Sequence, residues 1–137
     1  MLLQERGMAT FIHTADLHLG RQRYGERLLE DQRGVLDQLA TLVAERKPTA
    51  LLIAGDVYDR SVPPAEAVEL LDELVVRVAG ELETPVVMIP GNHDSADRLG
   101  FGARLMGAGR LHIAGQLGAE ISEILLKDEH GEIAVFA

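Results

Sequence analysis

Apolar residues in this chain fall into short blocks of two kinds. Thr10–Ala15 (TFIHTA), Ala50–Ala54 (ALLIA) and Pro85–Ile89 (PVVMI) are compact runs bounded by polar or turn-forming residues. Runs of this length predict strands buried on both faces. Between them the apolar period lengthens. Over Glu26–Arg46, Leu28, Val35, Leu39 and Leu42 recur at helical spacing, with Leu29, Leu36 and Val43 beside them, and Pro48 ends the pattern. A second helix is predicted from Pro63-Pro64, which suit a first turn, to about Leu82, with Val68, Leu71, Val75 and Val78 as its inner face. Strand, helix, strand, helix, strand predicts an α/β fold: a parallel sheet with right-handed crossovers.

The pattern weakens after Ile89. Ala96–Met106 predicts a short helix broken by Gly100 and Gly102, and Arg110–Ala114 a further strand. Ser122–Lys127 and Glu132–Phe136 alternate around Asp128–Gly131, as a hairpin would. The chain stops in the apolar run Ala134–Ala137, which reads as the middle of a strand. Residues 1–137 are therefore expected to be the N-terminal part of a single larger domain.

The polar residues add a second pattern. Asp16-Leu17-His18, Gly55-Asp56 and Gly91-Asn92-His93-Asp94 each follow a predicted strand. Loops at the carboxyl ends of parallel strands meet along one edge of the sheet, where ligands bind. Oxygen and imidazole donors without any thiolate suit hard or borderline divalent cations such as Mn, Fe or Zn. Asp16 and His18 are two residues apart, so continued strand geometry would point both the same way. Gly55 and Gly91 allow sharp turns and close backbone approach. Ser95 has no triad partners beside it. His13 and His112 lie within strands and read as packed residues, and His130 as a turn residue. Arg21, Arg23 and Tyr24 read equally well as a solvated loop or as contacts to phosphate or base.

Charge and composition narrow the classes. Thirteen basic residues against 22 acidic ones give a formal charge of −9. A protein that simply coats DNA would be basic. Carboxylates committed to divalent cations count less against nucleic acid than that sum implies. With no Trp and 4% aromatics, a surface of stacking rings is excluded. The absence of cysteine excludes disulfides, thiolate zinc and thiol catalysis. No apolar run approaches the roughly 20 residues of a membrane span, and Met1–Gly7 is too short and polar for a signal peptide. A cytoplasmic protein is expected.

Asp-x-His, Gly-Asp and Gly-Asn-His-Asp, in this order and each after an apolar strand, resemble the first three motifs of the calcineurin-like metallophosphoesterases. The wider strings His13–Gly20 (HTADLHLG), Ala54–Asp59 (AGDVYD) and Ile89–Ser95 (IPGNHDS), with Pro63-Pro64 before a helix, resemble the SbcD-type DNA-repair nuclease subunits. The resemblance covers Phe11 to about Ala114. It implies part of an α/β/β/α sandwich, the parallel βαβαβ half plus the C-terminal hairpin, with two divalent metal ions, Mn2+ foremost. Asp16 and His18 would hold one ion, Asp56 would bridge, and Asn92 would hold the other. His93 would be the catalytic imidazole, with Asp94 orienting it. The family's further histidines, in Gly-His and Gly-His-x-His, have no counterpart here; His112 and His130 are the only later histidines. The implied partners are DNA, an SbcC-type ATPase and a second copy of the chain. A phosphoesterase acting on another substrate, or a binding module, shares the same three motifs.

Overall fold

The computed structural model describes residues 8–106, 109–115 and 121–137; Met1–Gly7 lies outside them. Strand β1 (Phe11–Thr14) is followed by two short antiparallel strands, β2 (Gln22–Arg23) and β3 (Glu26–Arg27), then helix α1 (Leu29–Arg46). Strand β4 (Ala50–Ala54) leads to helix α2 (Ala65–Val75), which continues as a π-helical turn, Val76–Glu81. Strand β5 (Val86–Ile89), two single-turn helices α3 (Ala96–Leu99) and α4 (Ala103–Met106), strand β6 (Leu111–Ile113) and the hairpin β7 (Glu123–Asp128) and β8 (Gly131–Phe136) complete it.

The four longer-range strands form one parallel sheet in the order β1-β4-β5-β6. Alternate side chains of its central strands serve two cores. Leu51, Ile53, Val86 and Met88 pack against α1 and α2, beside Leu36, Ala40, Val43, Leu70, Leu71, Leu74 and Val78. Ala50 and Val87, with Leu52 and Ile89 partly buried, pack against Ile124, Leu126 and Val135 of the hairpin. The layers are thus helices, parallel sheet, antiparallel hairpin. Each fully buried aliphatic side chain contributes roughly 1.5–3 kcal/mol, so the central strands tie both layers together.

Several expectations change in detail. The first helix starts at Leu29, not Glu26, because Tyr24 and Gly25 both adopt positive φ (53° and 81°) and fold Gln22–Arg27 into a tight hairpin. The inner faces are rotated from those the aliphatic residues suggested. Val35, Leu42 and Val68 are exposed, and the buried positions include Ala40 and Ala67. Small residues are chosen where elements approach closely: Ala67 lies beneath Gly20, where a Cβ on the glycine would sit 3.1 Å from the Ala67 Cβ. The second helix does not run uniformly to Leu82. Its last turn widens, with the Leu82 N–H donating to the Arg77 carbonyl, which buries Val78 and Ala79 together. Strand β1 is an edge strand, and His13 is exposed rather than packed; the core under the hairpin is built from β4, β5 and Ala114 and takes in no residue of β1. His112 lies partly buried in β6, and burial lowers its pKa. His130 is in the β7–β8 turn, its N–H donating to Asp128 Oδ1 at 2.7 Å.

Among the described residues, no helix is long and apolar enough to cross a membrane.

Candidate metal centre at the carboxyl edge of the sheet

The loops after β1, β4 and β5 are stitched to one another by backbone hydrogen bonds. Asp16 N–H donates to Gly55 O (3.1 Å), His18 N–H to Asp56 O (2.9 Å), Leu19 N–H to Val57 O (2.9 Å) and Asp59 N–H to Leu19 O (3.1 Å). Gly55 N–H in turn donates to Ile89 O (3.0 Å), the last residue of β5. Buried Leu19, Val57 and Tyr58 form an apolar floor under these loops. Burial pushes the Tyr58 hydroxyl up to about 12, helped by nearby Asp94 and Asp72, so it stays neutral.

On this frame Asp16, His18 and Asp56 adopt left-handed backbone conformations, with φ of 54°, 45° and 45°. Strand geometry ends at Thr14, so the expected alternation does not aim Asp16 and His18. Two nearby left-handed positions do so instead. Such conformations cost energy in non-Gly residues and persist where the surroundings over-determine them. The result is convergence: one donor atom from each of Asp16, His18 and Asp56 lies within 4.8 Å of the others. His18 Nε2 is 3.8 Å from Asp56 Oδ2 and 4.0 Å from Asp16 Oδ1. These gaps exceed a hydrogen bond, and match donors arranged around a shared cation.

Gly91 makes the third loop fit. A Cβ there would overlap the backbone nitrogen and carboxylate of Asp56. The next residues complete the contact: His93 N–H donates to Asp56 Oδ1 at 2.9 Å. Asn92 lies exposed between these two anchoring residues. The His93 ring stands edge-on to His18, with centroids 4.9 Å apart.

Asp94, expected to orient His93, contacts the backbone of the loops that carry it. Its carboxylate accepts three backbone N–H bonds, from Val57 (3.0 Å), Tyr58 (2.8 Å) and Gly91 (2.8 Å). It pins the β5 loop to the β4 loop and so sets where His93 begins. The ring itself is held by Asp59, whose carbonyl lies 2.9 Å from His93 Nδ1. A carbonyl can only accept, so Nδ1 carries the proton and Nε2 is the free nitrogen. That bond, with the charges of Asp56, Asp59 and Asp94, raises the His93 pKa against the opposing effect of burial.

Asp59 was not singled out by sequence reasoning. Its carboxylate also approaches His18 Nδ1 at 3.4 Å, without the alignment of a hydrogen bond, and Nδ1 is buried with no partner. His18, Asp59 and His93 form a second group of potential donors within 4.8 Å. The only sequence signal was its place at the end of the Ala54–Asp59 string. Gln32 of α1 was also missed. Its side chain bonds the loop that carries His18, and no motif marks it.

The donor set fits divalent cations. One imidazole and two carboxylates offer nitrogen and oxygen donors, with no soft ligand, within 4.8 Å of one another, the donor types that hard and borderline divalent ions take.

The chain belongs to the calcineurin-like phosphoesterase family, whose pattern matches residues 9–130, the span that holds this sheet and the cluster at its carboxyl edge. It is similar to a particular protein as well: the SbcD component of the SbcCD nuclease of Staphylococcus epidermidis, 42% identical over 106 residues, or 77% of this chain. The chain spans 28% of that relative's length.

Proposed function

We propose that this chain supplies the first part of a two-metal nuclease site that hydrolyses phosphodiesters at DNA ends. The observation that carries the reading is the convergence of Asp16, His18 and Asp56 beside the His93 ring, in a chain 42% identical to a nuclease component. Asp16, His18 and Asp56 would hold one ion, with Asp56 shared and Asn92 serving the second. Bound divalent metal, Mn2+ in this reading, supplies Lewis acidity and a water of lowered pKa. The residues here do the rest. Asp94 and Gly91 fix the loop, and the Asp59 carbonyl engages His93 Nδ1, leaving Nε2 for chemistry. Protonated, that nitrogen donates a proton to the leaving oxygen or stabilises charge on the phosphoryl group. The excess of carboxylates makes cation binding a precondition for a phosphodiester to approach.

The reading extends to an SbcC-type ATPase partner, a homodimer and a cytoplasmic location, as the resemblance to SbcD-type subunits implies. It is tested in the intact protein by Mn2+ titration together with cleavage of linear duplex DNA. Mn-dependent cleavage abolished by Asp56→Ala is expected. Hydrolysis of nucleotides or phosphopeptides with no action on DNA would reassign the substrate.

A further inference from the structure

We infer that Gln32, on helix α1, is a positioning residue for the metal ligand His18; the inference rests on the metal-site reading above. Its side-chain amide grips the loop after β1 from below at three points. Oε1 accepts from Gly20 N–H at 3.0 Å, and Nε2 donates to the carbonyls of His18 (2.8 Å) and Leu17 (3.3 Å). The amide is thereby used on both sides, acceptor and donors, as only Asn or Gln can be.

The grip falls where the chain most needs it. His18 has φ 45° and Gly20 φ 86°, so the segment bends twice through left-handed backbone within three residues. The His18 N–H is already bound to Asp56 O, and its carbonyl accepts from Arg21 N–H (3.1 Å) as well as from Gln32. With both faces of the His18 peptide units held, the ring is constrained to aim Nε2 at Asp16 and Asp56. Gln32 lies near the start of α1, its own N–H bonded to Leu28 O. Helix α1 is packed into the core through Leu36, Ala40 and Val43 and linked to α2 by the Arg33–Glu73 ion pair and to the π-helical turn by Arg77–Asp37. Gln32 therefore refers the position of His18 to the rigid helical layer, whereas the strand-side stitches refer it only to another loop. The side chain lies 12 to 15 residues along the chain from its partners and touches no donor atom of the cluster.

Two substitutions separate positioning from packing. Gln32→Met keeps the length and removes all three bonds. Gln32→Glu keeps an acceptor for Gly20 N–H but sets a carboxylate against two carbonyl oxygens. Residues that orient metal ligands are typically worth roughly 10–100-fold in metal affinity, and both variants are expected to bind Mn2+ weaker within that range, read by electron paramagnetic resonance titration of the intact protein. Circular dichroism melts identify folded variants; if Gln32→Met fails to fold, Gln32→Glu carries the test. The decisive arm is a double-mutant cycle. In a His18→Ala background, the Gln32 substitution should cause no further loss of Mn2+ affinity, because the ligand through which it acts is gone. An equal loss in both backgrounds, or unchanged affinity in the folded single variant, overturns the positioning role. Wild-type protein that binds no more Mn2+ than His18→Ala removes the metal reading, and this inference with it.

Discussion

The two ends of the parallel sheet carry the same backbone feature for different reasons. At the carboxyl end, Asp16, His18 and Asp56 are left-handed, and their side chains converge. At the amino end Lys47 and Glu83 are left-handed too, with φ of 45° and 53°. Both are exposed. Lys47 is the C-cap of α1, its N–H returning to Val43 O, and Glu83 follows the π-helical turn. There the positive φ ends a helix before a strand; at the other end it accompanies the convergence of candidate donor side chains. Strain by itself does not mark a site. Strain over-determined by hydrogen bonds from three loops, with donor atoms converging, does.

The largest expected effect concerns the functional end. His93→Gln in the intact protein should cut phosphodiester cleavage by roughly 10²–10⁴-fold, the usual worth of a positioned proton donor, and leave Mn2+ binding nearly unchanged. Parallel loss of metal and activity would make His93 a ligand. That outcome would widen the cluster to include Asp59 and sharpen the contrast between the two ends.

Gly91→Ala tests how tightly the carboxyl end is assembled. The added methyl overlaps Asp56, so destabilisation of about 1–3 kcal/mol is expected, as for overpacking elsewhere. Mn2+ affinity should fall in the same variant, because the residue displaced is the carboxylate proposed to bridge the two ions. A denaturant melt and a metal titration read the two effects separately. A melt and a titration both like wild type would show that the β5 loop does not lean on Asp56.

A paired substitution challenges the comparison directly. Lys47→Gly should be mildly stabilising, by about 0.5–1 kcal/mol. Relief of left-handed strain, roughly 1–2 kcal/mol for an L-residue, outweighs the extra chain entropy of glycine, roughly 0.5–1 kcal/mol. Asp16→Gly offers the same conformational relief but should lose Mn2+ affinity. Equal metal binding by wild type and Asp16→Gly would leave the two ends indistinguishable and the site reading without its first ligand.

The smallest effect lies at the amino end, where the hairpin docks. Thr49 Oγ1 donates to Asp128 Oδ2 at 3.1 Å. The His130 N–H first, then Thr49, holds the Asp128 carboxyl below its ordinary range. A carboxyl whose pKa is lowered on folding contributes stability above its unfolded pKa and loses it as pH falls through the folded value. The Tm difference between wild type and Asp128→Asn should therefore be small at neutral pH, begin to shrink as pH falls below about 4, the ordinary carboxylate value, and vanish only below the lowered folded value. A difference that grows on acidification would reverse the assignment.

Periodicity located the strands of the parallel sheet, because a buried parallel strand is continuously apolar, but not the short β2 and β3, whose polar residues carry no such run. The three polar strings after those strands were likewise legible as a cluster, since parallel topology places their loops on one edge. What pattern reading misjudged was rotation and fine aim. It ranked Val35 and Val68 above Ala40 and Ala67 because burial was inferred from apolar bulk, whereas close approach of elements selects small side chains. It expected strand geometry to aim Asp16 and His18, but left-handed conformations belong to the hydrogen-bonded context and leave no period in the sequence. Asp94, Asp59 and Gln32 make the same point. Their identities were visible, but an Asp that binds three distant backbone amides looks no different in sequence from one that touches an imidazole. Residue identity and order were enough to bring Asp16, His18 and Asp56 to one edge of the sheet as candidate donors. Their aim came only with folding, because it is set by hydrogen bonds between loops and from helix α1, over separations no local pattern encodes.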